Sequence, residues 1–523
     1  MGNQAKRAFV AVALLGLVAT GCSSSSGSDG AKAASTSTTA STSTSTTSKP
    51  IEWPKPTFEE GDCPMPLTDE VIVEVTCGTM DVPENRLDPK SRMITLAVAT
   101  LHSKSAHPKA DPVVRLEGGP GFSSLSNVGN LSSSAVLDDR DYVIWDQRGV
   151  GFSKPNLDCP ETNEAIWEAF RTTDDAPTEG ARLQDAMRTC RARLVKAGVD
   201  LDGYNTTQNA ADLADLRVAL GIDEWNLRGV SYGSALAIET VRNHPEGLRS
   251  VLLDSIVPPD AGLGGVARGE SALKSFDQLY QACADDKACH EKYGDLHALF
   301  TKAAAMLDAE PYTTSVVDQQ TGKEREVSLT GQDIWAGLFN AMYDNTLIPV
   351  LPGVAQAIVN GDNGVVDAVA ESGIPLATDQ YDAMTTSVDC ADNQKLFDAD
   401  EVAPFLKAHP EMAGLVYLGL PETGCPEWDV TSAPPPFNEL LRKTDVKVPI
   451  IAMAGRFDPI TPVAGSKRVA DALGLDLLLF PDVGHGAVGS DDCARTIWIA
   501  FMDDPSSYPD TSCMDAIEPI TFG

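Results

Sequence analysis

The stretch "RGVSYGSALA", Arg228 to Ala237, decides the fold of this chain. It contains the pattern G-x-S-x-G, in which Ser231 stands between Gly229 and Gly233, after an apolar strand pattern and before an apolar helical one. Small residues beside a serine let two backbones approach closely, as a sharp turn from strand to helix requires. Such a turn also directs helix N–H groups towards a developing oxyanion. We therefore predict that Ser231 is a nucleophile; the alternative is an ordinary serine in a glycine-rich connection.

Apolar runs alternate with helical patterns on both sides of this turn. A helix is predicted in Ala211–Gly221, before the turn. Further strands are predicted in Met93–Leu101, Pro112–Gly121, Asp141–Gly149, Leu248–Val257, Val448–Asp458 and Asp476–Gly486. Continuous apolar strands separated by helices indicate a parallel sheet covered on both faces. The sequence therefore predicts an α/β fold with a mostly parallel sheet and helices on both faces.

The first residues have the pattern of a lipoprotein signal peptide, assigned to residues 1–21. Lys6 and Arg7 precede the apolar stretch Phe9–Val18, which is too short to span a bilayer, and "VATGC" ends at Cys22. We expect cleavage before Cys22 and lipidation of its thiol; the alternative is an ordinary signal peptide with an incidental cysteine. Both interpretations predict export, with the protein either secreted or lipid-anchored on the outer face of the cell membrane.

The rest of the chain divides into four predicted segments. Residues 22–50 are rich in Ser and Thr without large apolar side chains, which predicts a disordered tether. Residues 51–261 form the first part of the core, with an excursion from about 155 to 205, and residues 441–523 form the second part. Between them, residues 262–440, here called the insertion, are mainly helical in pattern and are predicted to cover the carboxyl edge of the sheet as a lid.

Charge and cysteine usage restrict the partners and the compartment. With 75 acidic against 40 basic residues, the formal net charge is −35, which disfavours nucleic acid as a partner and also serves solubility. Ten cysteines follow Cys22, and an even number in an exported chain suggests up to five disulfides. We expect sequence neighbours to pair: 63 with 77, 159 with 190, 283 with 289, 390 with 425, and 493 with 513. Seven histidines and no C-x-x-C pattern do not favour zinc, so we predict neither metal nor cofactor.

A nucleophilic serine needs a base, and the base needs an orienting carboxylate. His485 stands in "DVGHGAV", a glycine-flanked loop after the last predicted strand. Asp458 in "AGRFDPITP" ends the preceding strand, 27 residues earlier. We predict that they are base and carboxylate; the alternatives are an exposed loop histidine and a turn-capping aspartate. Asp254, which ends the strand after the serine turn, is the second candidate carboxylate.

The sequence also predicts donors for an oxyanion hole. One is the N–H of Tyr232, and the other is an amide of the glycine loop Gly118–Gly121, which follows "VVRLE". Gly118 and Gly119 are free to turn an N–H inwards, whereas Pro120 has none. The alternative is a plain glycine turn.

Five motifs in order resemble one family of α/β-hydrolases. They are "GGPG" at 118–121, "DQRGVGFS" at 146–153, "GVSYGS" at 229–234, "AGRFDPITP" at 454–462 and "GHG" at 484–486. Together they are similar to the proline iminopeptidase and tripeptidyl aminopeptidase family, over residues from about 60 to 515. "YNTTQNAADLADLRVALG" at 204–221 and "VDCADN" at 388–393 resemble its exported, tripeptidyl-type branch in high-GC Gram-positive bacteria.

The resemblance implies the α/β-hydrolase fold and a serine exopeptidase that removes short peptides from a free N-terminus through an acyl-enzyme. By motif position it implies that Ser231, Asp458 and His485 are the catalytic triad. It implies Gly119 and Tyr232 as the oxyanion donors.

Three further motif residues are implied to support the loops around the site: Asp146, Arg148 and Gly149. The chain departs from the family at Glu117, where iminopeptidases often have histidine before the two glycines. Glu117 either orients the loop by accepting backbone N–H bonds or contacts the substrate and alters its selection.

An aminopeptidase must also bind the substrate ammonium. Asp389 and Asp392, in the family-like "VDCADN" run, are the candidates because a paired charge in a dry cleft is strongly stabilised. The alternative for either carboxylate is a solvated acidic loop held by Cys390.

Two other functions remain open on the sequence. A carboxylesterase or lipase uses the same triad, so the substrate is either a peptide or an ester. A surface lipoprotein that binds ligands on an inactive hydrolase fold is the third possibility, which an incomplete triad would have indicated. In every case the expected membrane contact is the lipid anchor at Cys22.

Overall fold

The computed structural model describes most of the chain after the predicted tether. The described ranges are 51–174, 176–258, 264–318, 321–374, 382–393, 399–418, 425, 428–431 and 447–522. The predictions of a signal peptide, of lipidation at Cys22 and of a disordered tether lie outside these residues, as do parts of the insertion. Among the described helices, none combines the length and the apolar character needed to cross a membrane.

A nine-stranded sheet organises the molecule, in the order β1-β2-β3-β5-β4-β6-β7-β10-β11. The six strands from β5 to β11 along this order are parallel, and β1, β2 and β3 add an antiparallel edge. The strands are β1 (Phe58–Gly61), β2 (Val75–Pro83), β3 (Met93–Leu101), β4 (Val113–Leu116), β5 (Tyr142–Trp145), β6 (Trp225–Ser231), β7 (Leu248–Ile256), β10 (Ile450–Gly455) and β11 (Leu477–Phe480). The predicted α/β fold with a mostly parallel sheet is confirmed.

Helices connect the strands and cover the sheet. Those of the core are α1 (Val128–Leu131), α2 (Pro160–Arg171), α3 (Ala176–Lys196), α4 (Thr206–Ala219), α5 (Tyr232–Asn243), α15 (Val463–Leu473), α16 (Ala487–Ser490) and α17 (Asp492–Asp503). Those between β7 and β10 are α6 (Gly265–Asp285), α7 (Lys287–Tyr293), α8 (Leu296–Ala309), α9 (Gly331–Ala341), α10 (Leu351–Val359), α11 (Asn363–Gly373), α12 (Asp382–Asp392), α13 (Ala399–Ala408) and α14 (Ala413–Leu418).

Both faces of the sheet are buried, as β5 illustrates. Val143 and Trp145 join the apolar cluster on one face, whereas Tyr142 and Ile144 join the cluster on the other. Successive side chains of a strand point to opposite faces, so an uninterrupted apolar run buries both. This is why the run was recognisable as a strand from sequence.

Most of the described part of the insertion builds a second apolar core, which also takes in residues of α2 and, from the loop after β10, Phe457 and Ile460. The helix α12 instead joins the core of the sheet. The insertion thereby packs against the carboxyl edge of the sheet. It is mainly helical, but it also contains the antiparallel hairpin β8 (Tyr312–Val317) and β9 (Glu324–Leu329). The hairpin was not predicted, because most of its side chains are exposed or half-buried.

Five disulfides join sequence neighbours, as predicted. They are Cys63–Cys77, Cys159–Cys190, Cys283–Cys289, Cys390–Cys425 and Cys493–Cys513. The second ties the start of α2 to α3, in the segment predicted as the excursion. The fourth ties α12 to the residues after α14.

Candidate active site

Ser231 ends β6 and immediately precedes α5, with φ of +57° and ψ of −130°. A positive φ is unusual for a residue other than glycine and is retained only where the surroundings enforce it. Here they do so through close backbone contacts. A Cβ on Gly229 would overlap the carbonyl of Gly233, and a Cβ on Gly233 would overlap the carbonyl of Leu116. The glycines of G-x-S-x-G are therefore required by packing, and the sharp turn exists as predicted.

His485 and Asp458 are in direct contact. Nδ1 of the imidazole lies 2.8 Å from Oδ2 of Asp458. The carboxylate also accepts the backbone N–H groups of Ile460 (3.1 Å) and Thr461 (2.8 Å), and the hydroxyl of Thr461 (2.7 Å). A proton on Nδ1, facing the carboxylate, leaves Nε2 as the proton acceptor of the ring. The arrangement fixes the tautomer that a general base needs.

The imidazole is enclosed by protein. The ring of Tyr343 packs on it with centroids 4.8 Å apart, and the backbone N–H of His485 donates to the carbonyl of Tyr343 (3.1 Å). Burial by itself lowers the pKa of His485, but the carboxylates of Asp458 and Asp254 outweigh it and raise the pKa above its ordinary value. The imidazolium form is thus stabilised inside the site.

The loop that carries His485 adjoins the serine turn. A Cβ on Gly486 would lie 3.4 Å from Cγ2 of Val230, the residue before Ser231. The other candidate carboxylate, Asp254, does not occupy the position on the ring that Asp458 holds. Its two oxygens accept the N–H groups of Ala487 (2.8 Å) and Val488 (3.0 Å).

The glycine loop lies directly over the serine. A Cβ on Gly118 would lie 3.0 Å from Cβ of Ser231, and Gly119 has a φ of +111°, which favours glycine. Tyr232 is the first residue of α5, so its N–H is among those that find no partner within the helix. Its hydroxyl is anchored away from the serine, against Thr206 (2.9 Å) and Asn209 (3.1 Å).

Glu117 lies beneath the glycine loop. Its carboxylate forms a two-pronged ion pair with Arg115 (2.5 and 2.8 Å) and accepts the hydroxyl of Ser124 (3.3 Å) and the N–H of Gly118 (3.4 Å). Burial opposes ionisation, yet Arg115 outweighs it and holds the pKa of Glu117 below its ordinary value. These contacts favour the interpretation that Glu117 orients the loop rather than contacting the substrate.

The remaining motif residues contact neighbouring loops. Asp146 accepts the hydroxyl of Ser123 (2.8 Å) and the N–H groups of Leu125 and Phe152, and burial raises its pKa to about 6. Arg148 forms a buried two-pronged pair with Asp212, in α4 (both distances 2.7 Å). Gly149, with a φ of +78°, packs against Leu157. All three contact structural elements, as the family resemblance implied.

The helix α12 carries Asp389 and Asp392 and reaches the same region. Thr385 donates its hydroxyl to the carbonyl of Pro120 (2.6 Å), which joins α12 to the glycine loop. Asp392 accepts the N–H of Thr206 (3.2 Å), whose hydroxyl contacts the hydroxyl of Tyr232. Burial raises the pKa of both carboxyls, that of Asp392 to about 7.

Two residues that shape the site, Thr461 and Tyr343, were not among the predicted site residues. Thr461 was recognisable in principle, since an aspartate followed three residues later by threonine is a common hydrogen-bonded turn. Tyr343 carried no signal, because it reaches His485 from the insertion.

Several known proteins are similar to this chain over most of its length. A tripeptidyl aminopeptidase of Streptomyces coelicolor is 25% identical over 449 residues, which cover 79% of this chain and 78% of the relative. The serine protease Hip1 of Mycobacterium tuberculosis is 24% identical over 458 residues, covering 82% and 84%. A carboxylesterase B of the same organism is 24% identical over 477 residues, covering 83% and 85%.

The family model described as the alpha/beta hydrolase fold matches residues 111–491, which is most of the chain. These residues include the parallel part of the sheet, the strand–serine–helix turn and the loops of Asp458 and His485. The chain is therefore a member of the α/β-hydrolase family.

Proposed function

We propose that this α/β-hydrolase is a serine exopeptidase that removes short peptides from free N-termini through an acyl-enzyme. One observation carries the proposal. The imidazole of His485 lies 2.8 Å from the carboxylate of Asp458, in a loop that adjoins the strained turn of Ser231. The relatives named tripeptidyl aminopeptidase and serine protease support peptides as the substrate class.

The proposed reaction follows from this arrangement. Nε2 of His485 takes the hydroxyl proton of Ser231 as Oγ attacks the peptide carbonyl, and Asp458 stabilises the imidazolium. The N–H groups of Gly119 and Tyr232 bind the oxyanion. The imidazolium then protonates the leaving amine as the C–N bond breaks, which leaves an acyl-enzyme. A water molecule, deprotonated by His485, hydrolyses the ester and restores the Ser231 hydroxyl.

Asp389 and Asp392 are proposed to bind the substrate ammonium. Two observations support this role: α12 contacts the glycine loop through Thr385, and both carboxyls are at least half-buried. A charge pair in such a site is worth more than an exposed one, because water screens it less.

Fluorophosphonate labelling and peptide hydrolysis test the mechanism. We expect the wild type to be labelled and to cleave peptides with a free N-terminus, and we expect Ser231→Ala to lose both. Full hydrolysis by Ser231→Ala would overturn the mechanism. Absence of labelling in the wild type would favour the ligand-binding lipoprotein instead.

A carboxylesterase is the second candidate, favoured by the relative named carboxylesterase B. Serine peptidases also cleave activated esters, so ester turnover does not separate the two. Matched peptides with free and acetylated N-termini separate the exopeptidase from the esterase. Loss of turnover on acetylation supports the exopeptidase, and equal turnover supports an esterase or an endopeptidase.

We further propose that the protein is exported and anchored by a lipid on Cys22, with the Ser/Thr-rich segment as a tether. The signal-peptide pattern and the five disulfides support export, because disulfides persist in oxidising compartments. Labelling with a radioactive fatty acid in cells tests the anchor. Incorporation that is lost in Cys22→Ser supports it, and release of unlabelled protein into the medium contradicts it.

A further inference from the structure

Four consecutive backbone N–H groups, those of His485 to Val488, are each held by another element. This stretch is here called the histidine loop. The acceptors are the Tyr343 carbonyl for His485 (3.1 Å), Ser255 Oγ for Gly486 (2.8 Å), Asp254 Oδ1 for Ala487 (2.8 Å) and Asp254 Oδ2 for Val488 (3.0 Å). Three of the four bonds end on the last residues of β7, which therefore determine where the loop lies.

Asp254 occupies a central place in the sheet. Its neighbours across the ladder are Val230 in β6 and Met453 in β10, and its relative exposure is 0%. The next residue, Ser255, has a φ of +53°, which is unusual outside glycine. Backbone strain that persists in a buried strand end commonly accompanies a functional site.

Among the described residues, charged groups face Asp254 and His485 from several elements. Arg228 faces Asp254 from β6, and its guanidinium contacts the hydroxyl of Tyr142 (3.1 Å) and lies 5.5 Å from the ring centroid of Trp498. The positive charge of Arg228 also helps to lower the pKa of Glu117. His485 is faced by Asp458 and Asp254, with the ring of Tyr343 packed against it.

The ionised form of Asp254 suits this environment best. Both oxygens already accept N–H groups, and a protonated carboxyl would have to turn a hydrogen towards one of them. Burial raises the pKa of Asp254, while the two N–H bonds, Arg228 and His485 oppose that rise. In return, the negative charge of Asp254 adds to that of Asp458 in raising the pKa of His485.

We propose that Asp254 is a positioning residue for His485. It fixes the histidine loop through two backbone N–H groups and places a second negative charge behind the imidazole, where the reaction creates a positive one. The proposal rests on the proposed function of Ser231, Asp458 and His485. Asp254 neither touches substrate nor exchanges a proton in it.

The test compares Asp254→Asn with Ser255→Ala on p-nitrophenyl butyrate. Asparagine removes the charge and turns an NH₂ group towards one loop N–H, whereas Ser255→Ala removes one hydrogen bond of the same loop without changing charge. We expect kcat/KM of Asp254→Asn to fall about 10²-fold, mostly in kcat, since a small displacement of a catalytic group has that effect. Because the imidazolium loses stabilisation, the acidic limb of the kcat/KM profile of Asp254→Asn against pH should move to lower pH. Ser255→Ala should lower kcat and leave the limb in place.

Asp254→Glu keeps the proposal testable if Asp254→Asn does not fold, as judged by circular dichroism and thermal melting. It keeps the charge but shifts the carboxylate by one methylene, so kcat should fall while the acidic limb stays. A folded Asp254→Asn whose acidic limb stays at the wild-type pH would overturn the proposal, whether or not its kcat falls. Ester turnover that persists in Ser231→Ala would overturn the proposed function instead, so the two failures are distinguishable.

Discussion

At the scale of single residues, the site depends on groups that hold others in place. The turn in which Ser231 has a positive φ requires glycine at positions 229 and 233. A side chain at either position would overlap a backbone carbonyl, that of Gly233 or that of Leu116. Asp458 keeps its orientation through two backbone N–H groups and the hydroxyl of Thr461. A chemically active geometry therefore rests on residues that themselves do no chemistry.

Thr461→Val tests this at one hydrogen bond. The hydroxyl donates to Oδ2 of Asp458, the same oxygen that faces His485. A bond to a charged group contributes about 1.5–3 kcal/mol, so we expect kcat/KM to fall at least about tenfold, with KM nearly unchanged. Steady-state kinetics on one ester substrate measure it. Thr461→Ser keeps the hydroxyl and is the matched control; equal activity of the two variants would contradict the role.

The pH dependence should differ between amine and ester substrates. Burial raises the pKa of Asp392 to about 7, so on acidification through this range the carboxylate is neutralised and no longer pairs with an ammonium. We expect kcat/KM for a peptide with a free N-terminus to fall on acidification more steeply than kcat/KM for a neutral ester. The pH dependence of kcat/KM for the ester should reflect the titration of His485 alone.

Asp392→Asn provides the control for this pH profile. The variant should lose peptide turnover and retain ester turnover, with the ester profile unchanged. Superimposable peptide and ester profiles in the wild type would contradict ammonium recognition by Asp392.

At the scale of elements, α12 links the insertion to the core. Thr385 contacts the carbonyl of Pro120, and Asp392 accepts the N–H of Thr206 at the start of α4. On its other side, Ser387 accepts the indole N–H of Trp428 (2.9 Å), and Cys390 is bonded to Cys425. The helix that carries the proposed ammonium site is thus held at several points along its length.

Removing the Cys390–Cys425 disulfide should affect substrate recognition. The paired change Cys390→Ser/Cys425→Ser should raise KM for free-N-terminal peptides several-fold, because the orientation of α12 is less restricted, and should change ester turnover less. The paired change Cys493→Ser/Cys513→Ser removes a bond at the C-terminal end of the chain and is the control.

Both pairs close loops of similar length, 35 and 20 residues, so each loss should cost about 3–4 kcal/mol of unfolding free energy. Thermal melting and peptide kinetics on the two variants separate stability from recognition. An equal rise of KM in both would indicate general destabilisation.

At the scale of the whole molecule, the chain carries a formal net charge of −35, which gives the protein a negative field. Such a field attracts cations and is screened by salt. We expect kcat/KM for a free-N-terminal peptide with basic side chains to fall several-fold as NaCl rises from about 20 to 300 mM. The N-acetylated ester of a neutral residue is the control and should change little. An equal salt dependence of the two substrates would exclude electrostatic attraction of the substrate.

Sequence patterns revealed the elements that are buried on both faces and missed those that are not. The runs of β3 to β7, β10 and β11 were recognisable because they are nearly continuous in apolar residues. β1 exposes most of its residues and β2 alternates, so neither stood out. Glu117 was left ambiguous although a local signal existed: residues two apart in a strand lie on the same face, so Arg115 was its expected partner.

The sequence by itself determined the fold class and the serine turn, because the strand and helix patterns and the G-x-S-x-G motif are local. The disulfide pairing was an expectation, and the structure confirmed it. The tertiary structure decided which carboxylate meets the imidazole. Asp254 lies near the end of β7 and Asp458 lies in the loop after β10. Only the packing of these segments turns Asp458 to Nδ1 of His485 and Asp254 to the backbone that follows the histidine. Contacts between residues far apart in sequence depend on the geometry of the sheet edge, which no local pattern specifies.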